Sequence, residues 1–234
     1  MTLKSDNNSQ TIPEENHSHF VIVIGREFGS GGRTIGKLVA SILDVNYYDT
    51  ELLTKAAETE DVNPQVFKEH EEKKPSLLKT LLQGAYGIAD NFHTVPLSSE
   101  RIYRLQSKVI RDISSKGSCV IVGRNADFIL RDHKRLLSVF LHSPIDIRAK
   151  RIVERGEAQN MEEACEKARQ NDKKRESFYN FYTGEKKWGV ASNYHLSLDT
   201  SFLENDTVAE IIIKTAKNKF GINPINNDDK DNTS

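Results

Sequence analysis

The residues whose types and spacing could do chemistry lie in one stretch near the start of the chain, GREFGSGGRT at residues 25–34. Its four glycines lack Cβ atoms, so the backbone can curl close to an anion and direct several N–H groups at it. Ser30 and Thr34 add hydroxyl groups, and Arg33 adds a permanent positive charge. This combination is typical of a loop that binds phosphate groups. A glycine turn that binds nothing is the alternative interpretation.

The segments on either side of this glycine loop (residues 25–32) predict the elements that would position it. Residues 20–24, FVIVI, form an unbroken apolar run that predicts a strand buried on both faces. After the loop, apolar side chains recur at helical spacing as far as about residue 43, which predicts an amphipathic helix. The N-terminus of this helix would add the positive end of its dipole to the loop.

One part of the usual phosphate-binding motif is missing. A P-loop has the pattern G-x-x-x-x-G-K-[ST], and this stretch has no lysine. One register places Gly32-Arg33-Thr34 on Gly-Lys-Thr, but it puts Glu27 on the first glycine. Another register places Gly32 on the lysine. Arg33 as a substitute for the lysine is a hypothesis, because the planar fork of an arginine does not follow the path of a lysine.

Composition and charge argue against several classes of function. The chain has 234 residues and a formal net charge of -1, so it has no bulk positive field for nucleic acid or an anionic membrane. Its apolar runs are far too short to span a bilayer, and its first residues lack the apolar centre of a secretory signal. Cys119 and Cys165 lie far apart, which predicts two reduced thiols in a cytoplasmic protein.

Four further strands are predicted, at about residues 45–48, 119–122, 136–141 and 194–198. They alternate with helical patterns, which predicts a parallel sheet with helices on both faces. The polar residues 1–18 and 222–234 predict disordered tails, so that residues 19–221 form a single domain. Within this domain we expect a helical insert at residues 58–98 and a lid region at residues 156–193.

Polar side chains that follow the predicted strands would lie at the edge where open α/β sheets bind ligands. Asp49 and Thr50 follow the second strand, although either residue could simply cap the next helix. Arg124 follows the third strand, and its alternative role is a surface arginine that caps a helix. Asp172 and Arg175 are three residues apart and therefore share one face of a helix, which could equally be an exposed, salt-bridged face.

Together these features are typical of a small phosphotransferase. Such a protein positions an anionic donor and an anionic acceptor, and it neutralises the charge on the phosphoryl group that is transferred. Three stretches resemble those of nucleoside monophosphate kinases and, within them, of cytidylate-kinase-like proteins: GREFGSGG at 25–32, CVIVGRNADFIL at 119–130 and NFYTGEKKWG at 180–189. The resemblance covers roughly residues 20–220. It implies a three-layer α/β P-loop kinase fold, with a five-stranded parallel sheet of order 2-3-1-4-5, an acceptor-side helical insert and a closing lid.

The same resemblance implies an activity and a set of site residues. The activity is transfer of phosphate from ATP to a nucleoside monophosphate, CMP or dCMP, with Mg²⁺ as cofactor. The ATP phosphates would be bound by Gly29, Ser30, Gly31, Gly32, Arg33 and Thr34, with Thr34 near the metal. The acceptor would be bound by Thr50, Arg124, Asp172 and Arg175. The implied catalytic residues are Arg33, Arg151, Arg169 and Arg175.

Two departures from the family pattern keep other functions open. The missing lysine supports a nucleotide-binding or regulatory module that does not turn over. Asn125 replaces the Asp of the family's Gly-Arg-Asp, which supports a kinase of another small acceptor. A nucleic-acid interface through the basic residues 173–175 is the weakest alternative, because that charge is local and acidic residues interleave with it.

Overall fold

The fold is described from a computed structural model, which covers residues 19–49 and 99–222. The predicted N-terminal tail, Thr50, the predicted insert at residues 58–98 and residues 223–234 lie outside the described residues.

Within the described residues, five parallel strands form the centre of the fold. In chain order they are β1 (Val21–Arg26), β2 (Asn46–Tyr48), β3 (Cys119–Val122), β4 (Leu136–His142) and β5 (Leu196–Asp199). They lie side by side in the order β2-β3-β1-β4-β5, and every neighbouring pair is parallel. The predicted order 2-3-1-4-5 is therefore confirmed.

The fifth strand begins two residues later than the sequence predicts. Ala191–Asn193 form a 3₁₀ turn, and Tyr194 then packs its ring against Phe140, with 4.9 Å between ring centroids. The aromatic ring of Tyr194 therefore packs against β4, although Tyr194 itself lies before the strand.

Six α-helices are described, and they connect the strands or flank them. They are α1 (Gly32–Ile42), α2 (Ser99–Lys116), α3 (Ala126–Ile129), α4 (Ile145–Glu154), α5 (Met161–Thr183) and α6 (Asn205–Phe220). In the described part of the chain, none of the helices is both long and apolar enough to cross a membrane.

Alternating side chains of β1 separate the core into two layers. Ile22 and Ile24 are completely buried in a cluster that includes residues of α1 and α6. Val21 and Val23 point the opposite way, into a cluster with residues of α2 and α3. Each such side chain stabilises the fold by about 1.5–3 kcal/mol through burial. Helices therefore cover both faces of the sheet, and the carboxyl ends of the strands stay available for a site.

Helix α5 is attached to the core through a half-buried carboxyl group. The Tyr179 hydroxyl donates a 2.8 Å hydrogen bond to Oδ2 of Asp127, which lies in α3. Burial raises the pKa of the Asp127 carboxyl, although the Tyr179 hydroxyl and the charge of Lys186 both oppose the rise. This contact fixes the C-terminal half of α5, and with it the side chains that α5 carries toward the sheet edge.

The raised pKa of Asp127 predicts a pH dependence of stability. A carboxyl whose pKa is higher in the folded state is harder to ionise there, so the free energy of unfolding should fall as pH rises from about 4 through the raised pKa. Asp127→Asn keeps an oxygen for Tyr179 and cannot ionise. Urea unfolding between pH 4 and 7 should show the wild-type protein losing stability relative to this variant, and a difference that stays constant with pH would contradict the prediction.

A second prediction concerns the packing of α1 on the sheet. A Cβ atom at Gly36 would lie 2.7 Å from Cγ2 of Val122 and 3.2 Å from Cε2 of Tyr47. Gly36→Ala should therefore destabilise the protein by about 1–3 kcal/mol through overpacking, despite the better helix propensity of alanine. Gly117→Ala is the matched control, because no atom lies within 4 Å of its added Cβ. Equal unfolding free energies for the two variants would refute the packing argument.

Candidate functional site

The glycine loop connects the end of β1 to the first residue of α1, as the sequence predicts. Gly29 and Gly31 have φ angles of +89° and +87°, in the left-handed region that L side chains rarely adopt. A Cβ atom at Gly29 would also lie 2.9 Å from the carbonyl oxygen of Arg148. The loop therefore curls directly beneath the N-terminus of α1, and this geometry is suited to binding phosphate.

The three non-glycine residues predicted to bind phosphate occupy different environments. Ser30 is completely buried, and its hydroxyl donates a 2.9 Å hydrogen bond to the carbonyl of Glu27. Thr34 is exposed in the first turn of α1. The side chain of Arg33 is 60% exposed, and its Nε lies 3.3 Å from Oδ2 of Asp49 at the end of β2. The Ser30 hydroxyl thus shapes the loop, while Thr34 and Arg33 face outward.

The glycine loop is held by an arginine that the sequence motifs did not predict as a site residue. Arg148 is buried on α4, and its Nη1 donates to the carbonyl of Phe28 at 3.1 Å and to Oδ2 of Asp172 at 2.5 Å. The other oxygen of Asp172 accepts a 2.7 Å hydrogen bond from the Phe28 N–H. Glu27 adds a second carboxylate, 3.3 Å from Nε of Arg148. One ion pair therefore fixes both main-chain polar groups of Phe28.

A signal for Arg148 was present in the sequence. Arg148 lies in the first turns of the helix that follows β4, near the same strand edge as Arg124 after β3. The rule that selected Arg124, which places ligand sites at the carboxyl ends of strands, applies to Arg148 as well.

Asp172 and Arg175 lie on one face of α5, as predicted, and both reach the glycine loop. Nη1 of Arg175 lies 3.5 Å from Oδ1 of Asp172 and donates a 3.2 Å hydrogen bond to the carbonyl of Arg26. The Arg175 guanidinium also lies 5.4 Å from the ring centre of Phe28. Burial raises the pKa of Asp172, and the Phe28 N–H and Arg148 limit that rise. The structure thus brings these two predicted acceptor-binding residues beside the predicted donor-binding loop.

Arg151 is joined to the glycine loop through Thr200, a threonine that the sequence motifs did not predict as a site residue. Its Nη1 and Nη2 donate to Oγ1 and to the carbonyl of Thr200, at 3.0 Å and 2.6 Å. The buried Thr200 hydroxyl donates in turn to the carbonyl of Ser30 at 3.0 Å. Arg169 lies one turn before Asp172 on α5 and is exposed. Of these two predicted catalytic arginines, Arg151 is therefore already held at the loop.

The turn after β3 carries Arg124 in an uncommon backbone conformation. Gly123, Arg124 and Asn125 have φ angles of +84°, +60° and +53° in succession. Each non-glycine residue in this region costs on the order of 1 kcal/mol or more, and such strain clusters at functional sites. The N–H of Gly123 donates a 3.0 Å hydrogen bond to the carbonyl of Ile24, which places the turn beside the start of the glycine loop.

The residues at the loop fit a magnesium ion that arrives with a nucleotide. Magnesium usually keeps water and phosphate ligands and takes only one or two oxygens from the protein. The exposed Thr34 hydroxyl, in the first turn after the loop, is an oxygen donor of the kind that P-loop proteins use. In the described residues, no group of three His, Cys, Asp or Glu side chains is arranged to hold a metal ion.

Comparison with known proteins identifies the family of this chain. Residues 21–202 match the model of the cytidylate kinase-like family. The chain belongs to the cytidylate kinase-like family. The resemblance and the P-loop kinase fold that the sequence predicts are therefore confirmed. No curated protein matches this family member.

Solved structures similar to this cytidylate kinase-like protein include an uncharacterized protein from Eubacterium ventriosum. It is 28% identical with a TM-score of 0.64, and the alignment covers 85% of this chain and 99% of that one. A shikimate kinase from Bacteroides thetaiotaomicron is 15% identical with a TM-score of 0.48, over 87% and 99% of the two chains. A gluconokinase from Sinorhizobium meliloti is 15% identical with a TM-score of 0.45, over 87% and 93%.

The link from Arg151 to the loop yields a prediction. Thr200→Val keeps the shape of the side chain but removes the hydroxyl between Arg151 and Ser30, so it should cost about 1–3 kcal/mol of unfolding free energy. Thr215→Val is the matched control, because the Thr215 hydroxyl bonds only the carbonyl of Ile211 within its own helix among the bonds described. Urea unfolding measures both variants. A Thr200→Val loss no larger than that of Thr215→Val would show that the link is not structural.

Proposed function

We propose that this protein is a cytoplasmic, Mg²⁺-dependent enzyme that transfers the γ-phosphoryl group of ATP to a nucleoside monophosphate, CMP or dCMP. Membership of the cytidylate kinase-like family supports a kinase-like phosphotransferase. The observation that carries the proposal is the glycine loop, in which the left-handed Gly29 and Gly31 curl the backbone under α1. Such a loop gives phosphate oxygens several N–H donors and the positive end of a helix dipole.

The donor side of the proposed site is the first turn of α1 and the loop before it. The N–H groups of residues 29–34 would bind the ATP phosphates, and Arg33 would add charge from the exposed rim. Thr34 would hold Mg²⁺ together with the phosphates. When bound, Mg²⁺ neutralises negative charge on the phosphate oxygens.

The acceptor side is formed by Arg124 after β3 and by Asp172 and Arg175 on α5, with Thr50 as a further proposed contact. Asp172 is held by Arg148 and the Phe28 N–H, so its carboxylate would meet an acceptor in a fixed orientation. Preorganised charges of this kind stabilise a transition state without having to reorganise during the reaction. Arg151, Arg169 and Arg175 would neutralise charge that develops on the moving phosphoryl group, and no covalent intermediate is needed.

Two observations favour alternatives to this assignment. The amide Nδ2 of Asn125 is buried and has no hydrogen-bond partner among the described residues, so this turn offers a donor where the family pattern has a carboxylate. That difference favours a kinase of another small acceptor. The ion pair of Arg33 with Asp49, in a loop without a lysine, favours a nucleotide-binding module with weak or no turnover.

The proposed function predicts that purified protein with MgATP releases ADP when CMP or dCMP is added, and less with UMP, AMP or GMP. Arg124→Ala should reduce this release on the order of 100-fold, because it removes a cation at the acceptor. A coupled assay for ADP, with phosphorylated product measured by chromatography, tests both statements.

Lys219→Ala is the control for this assay. Lys219 is exposed near the C-terminus of α6, beside Phe220. The Phe220 carbonyl accepts a hydrogen bond from Arg135, which directly precedes β4, so Lys219 lies near the amino end of that strand and away from the proposed site. Its loss should leave turnover unchanged. If no nucleotide stimulates ADP release, the acceptor assignment is wrong. MgATP binding without any transfer would then support the non-catalytic module.

A further inference from the structure

The space next to Gly32 is occupied by a side chain from another part of the glycine loop. A Cβ atom at position 32 would lie 2.8 Å from Cγ and 2.9 Å from Cβ of Arg26. These atoms form the base of the arginine side chain, so they cannot easily move aside. Gly32 begins α1 directly after the left-handed Gly31, and one register of the P-loop pattern assigns the missing lysine to this position. Arg26 therefore fills the space from which a lysine at position 32 would extend.

The other end of the Arg26 side chain lies against the turn after β3. A Cβ atom at Gly123 would overlap Nη1 of Arg26 and would lie 2.8 Å from its Cζ. Gly123 directly precedes Arg124, which is the proposed acceptor-binding residue. The Arg26 side chain thus runs from the start of α1 to the acceptor side of the site, and two glycines at distant points of the sequence make room for it.

The Arg26 guanidinium also lies near the end of β2, where charges of both signs meet. Burial and the neighbouring Asp49 carboxylate raise the pKa of the Tyr47 hydroxyl, and the charges of Arg33 and Arg26 oppose that rise. Both guanidinium groups therefore act on the same end of β2. The backbone of Arg26 is also fixed, because its carbonyl accepts a hydrogen bond from Arg175.

We propose that Arg26 is a phosphate-binding residue, and that its guanidinium supplies the positive charge that the P-loop lysine supplies in other proteins. This inference rests on the proposed function and adds a residue to it. The ligand is the polyphosphate chain of a nucleoside triphosphate. An arginine can pair with two phosphate oxygens at once, and the span of Arg26 from Gly32 to Gly123 puts that fork between donor and acceptor. Arg33 is a weaker candidate for this role, because its side chain is 60% exposed.

Calorimetric titration with MgATP tests the proposal without needing the acceptor. Arg26→Met keeps an unbranched stem against Gly32 and removes the charge, and it should weaken MgATP binding on the order of 10- to 100-fold. Arg26→Gly should weaken binding similarly and empty the space beside position 32. The double variant Arg26→Gly with Gly32→Lys then has room for a lysine, and it should bind MgATP within a few fold of the wild-type protein. Thermal unfolding of each variant confirms that it is folded.

The possible outcomes separate this inference from the proposed function. Wild-type protein that binds MgATP while Arg26→Met binds it equally well overturns the role of Arg26 and leaves the proposed function intact. A double variant that binds MgATP no more tightly than Arg26→Gly also overturns the inference, because the lysine introduced at position 32 then does not replace the charge of Arg26. Wild-type protein that binds no MgATP refutes the proposed function, and the inference with it.

Discussion

The shape of the glycine loop depends on the buried ion pair between Arg148 and Asp172. This pair holds both the N–H and the carbonyl of Phe28, and it ties α4 and α5 to the loop at the same point. Removing one member of a buried pair typically costs about 3–5 kcal/mol, because the other charge is left without compensation. A glycine-rich segment loses much conformational freedom on folding, so it needs such external contacts to keep one conformation.

The arginines around the loop differ in what their side chains contact. Arg148 donates to main-chain carbonyls and pairs with carboxylates, and Arg151 donates to the hydroxyl and the carbonyl of Thr200, so both help to fix the loop and the end of β5. The Arg26 side chain lies between Gly32 and Gly123, and the Arg33 side chain is 60% exposed. Charges that are held in place before a ligand binds are what electrostatic preorganisation requires. The chain is almost neutral overall, so this local concentration of positive charge is what an anionic ligand would meet.

The strand–helix alternation, the glycine loop and the facing of Asp172 with Arg175 could be predicted from the sequence, because local periodicity and short spacing specify them. The sheet order was implied only by the resemblance to cytidylate-kinase-like proteins, since no local pattern specifies which strands lie side by side. The partners of Arg148 could not, since Phe28 lies 120 residues away and no local pattern records such a contact. The same holds for Thr200, whose hydroxyl bonds Ser30 across 170 residues. Gly32 was recognised as a departure from a motif, but only the fold shows that the side chain of Arg26 occupies the space beside it.

The most direct test of this account is a crystal structure of the protein with MgADP. The account predicts phosphate oxygens on the N–H groups of residues 29–34, with the Arg26 guanidinium within hydrogen-bonding distance of the terminal phosphate. It also predicts that the pair of Arg148 with Asp172 stays in place, since that pair sets the shape of the loop. A nucleotide bound elsewhere, or phosphates in the loop with Arg26 turned away from them, would contradict it.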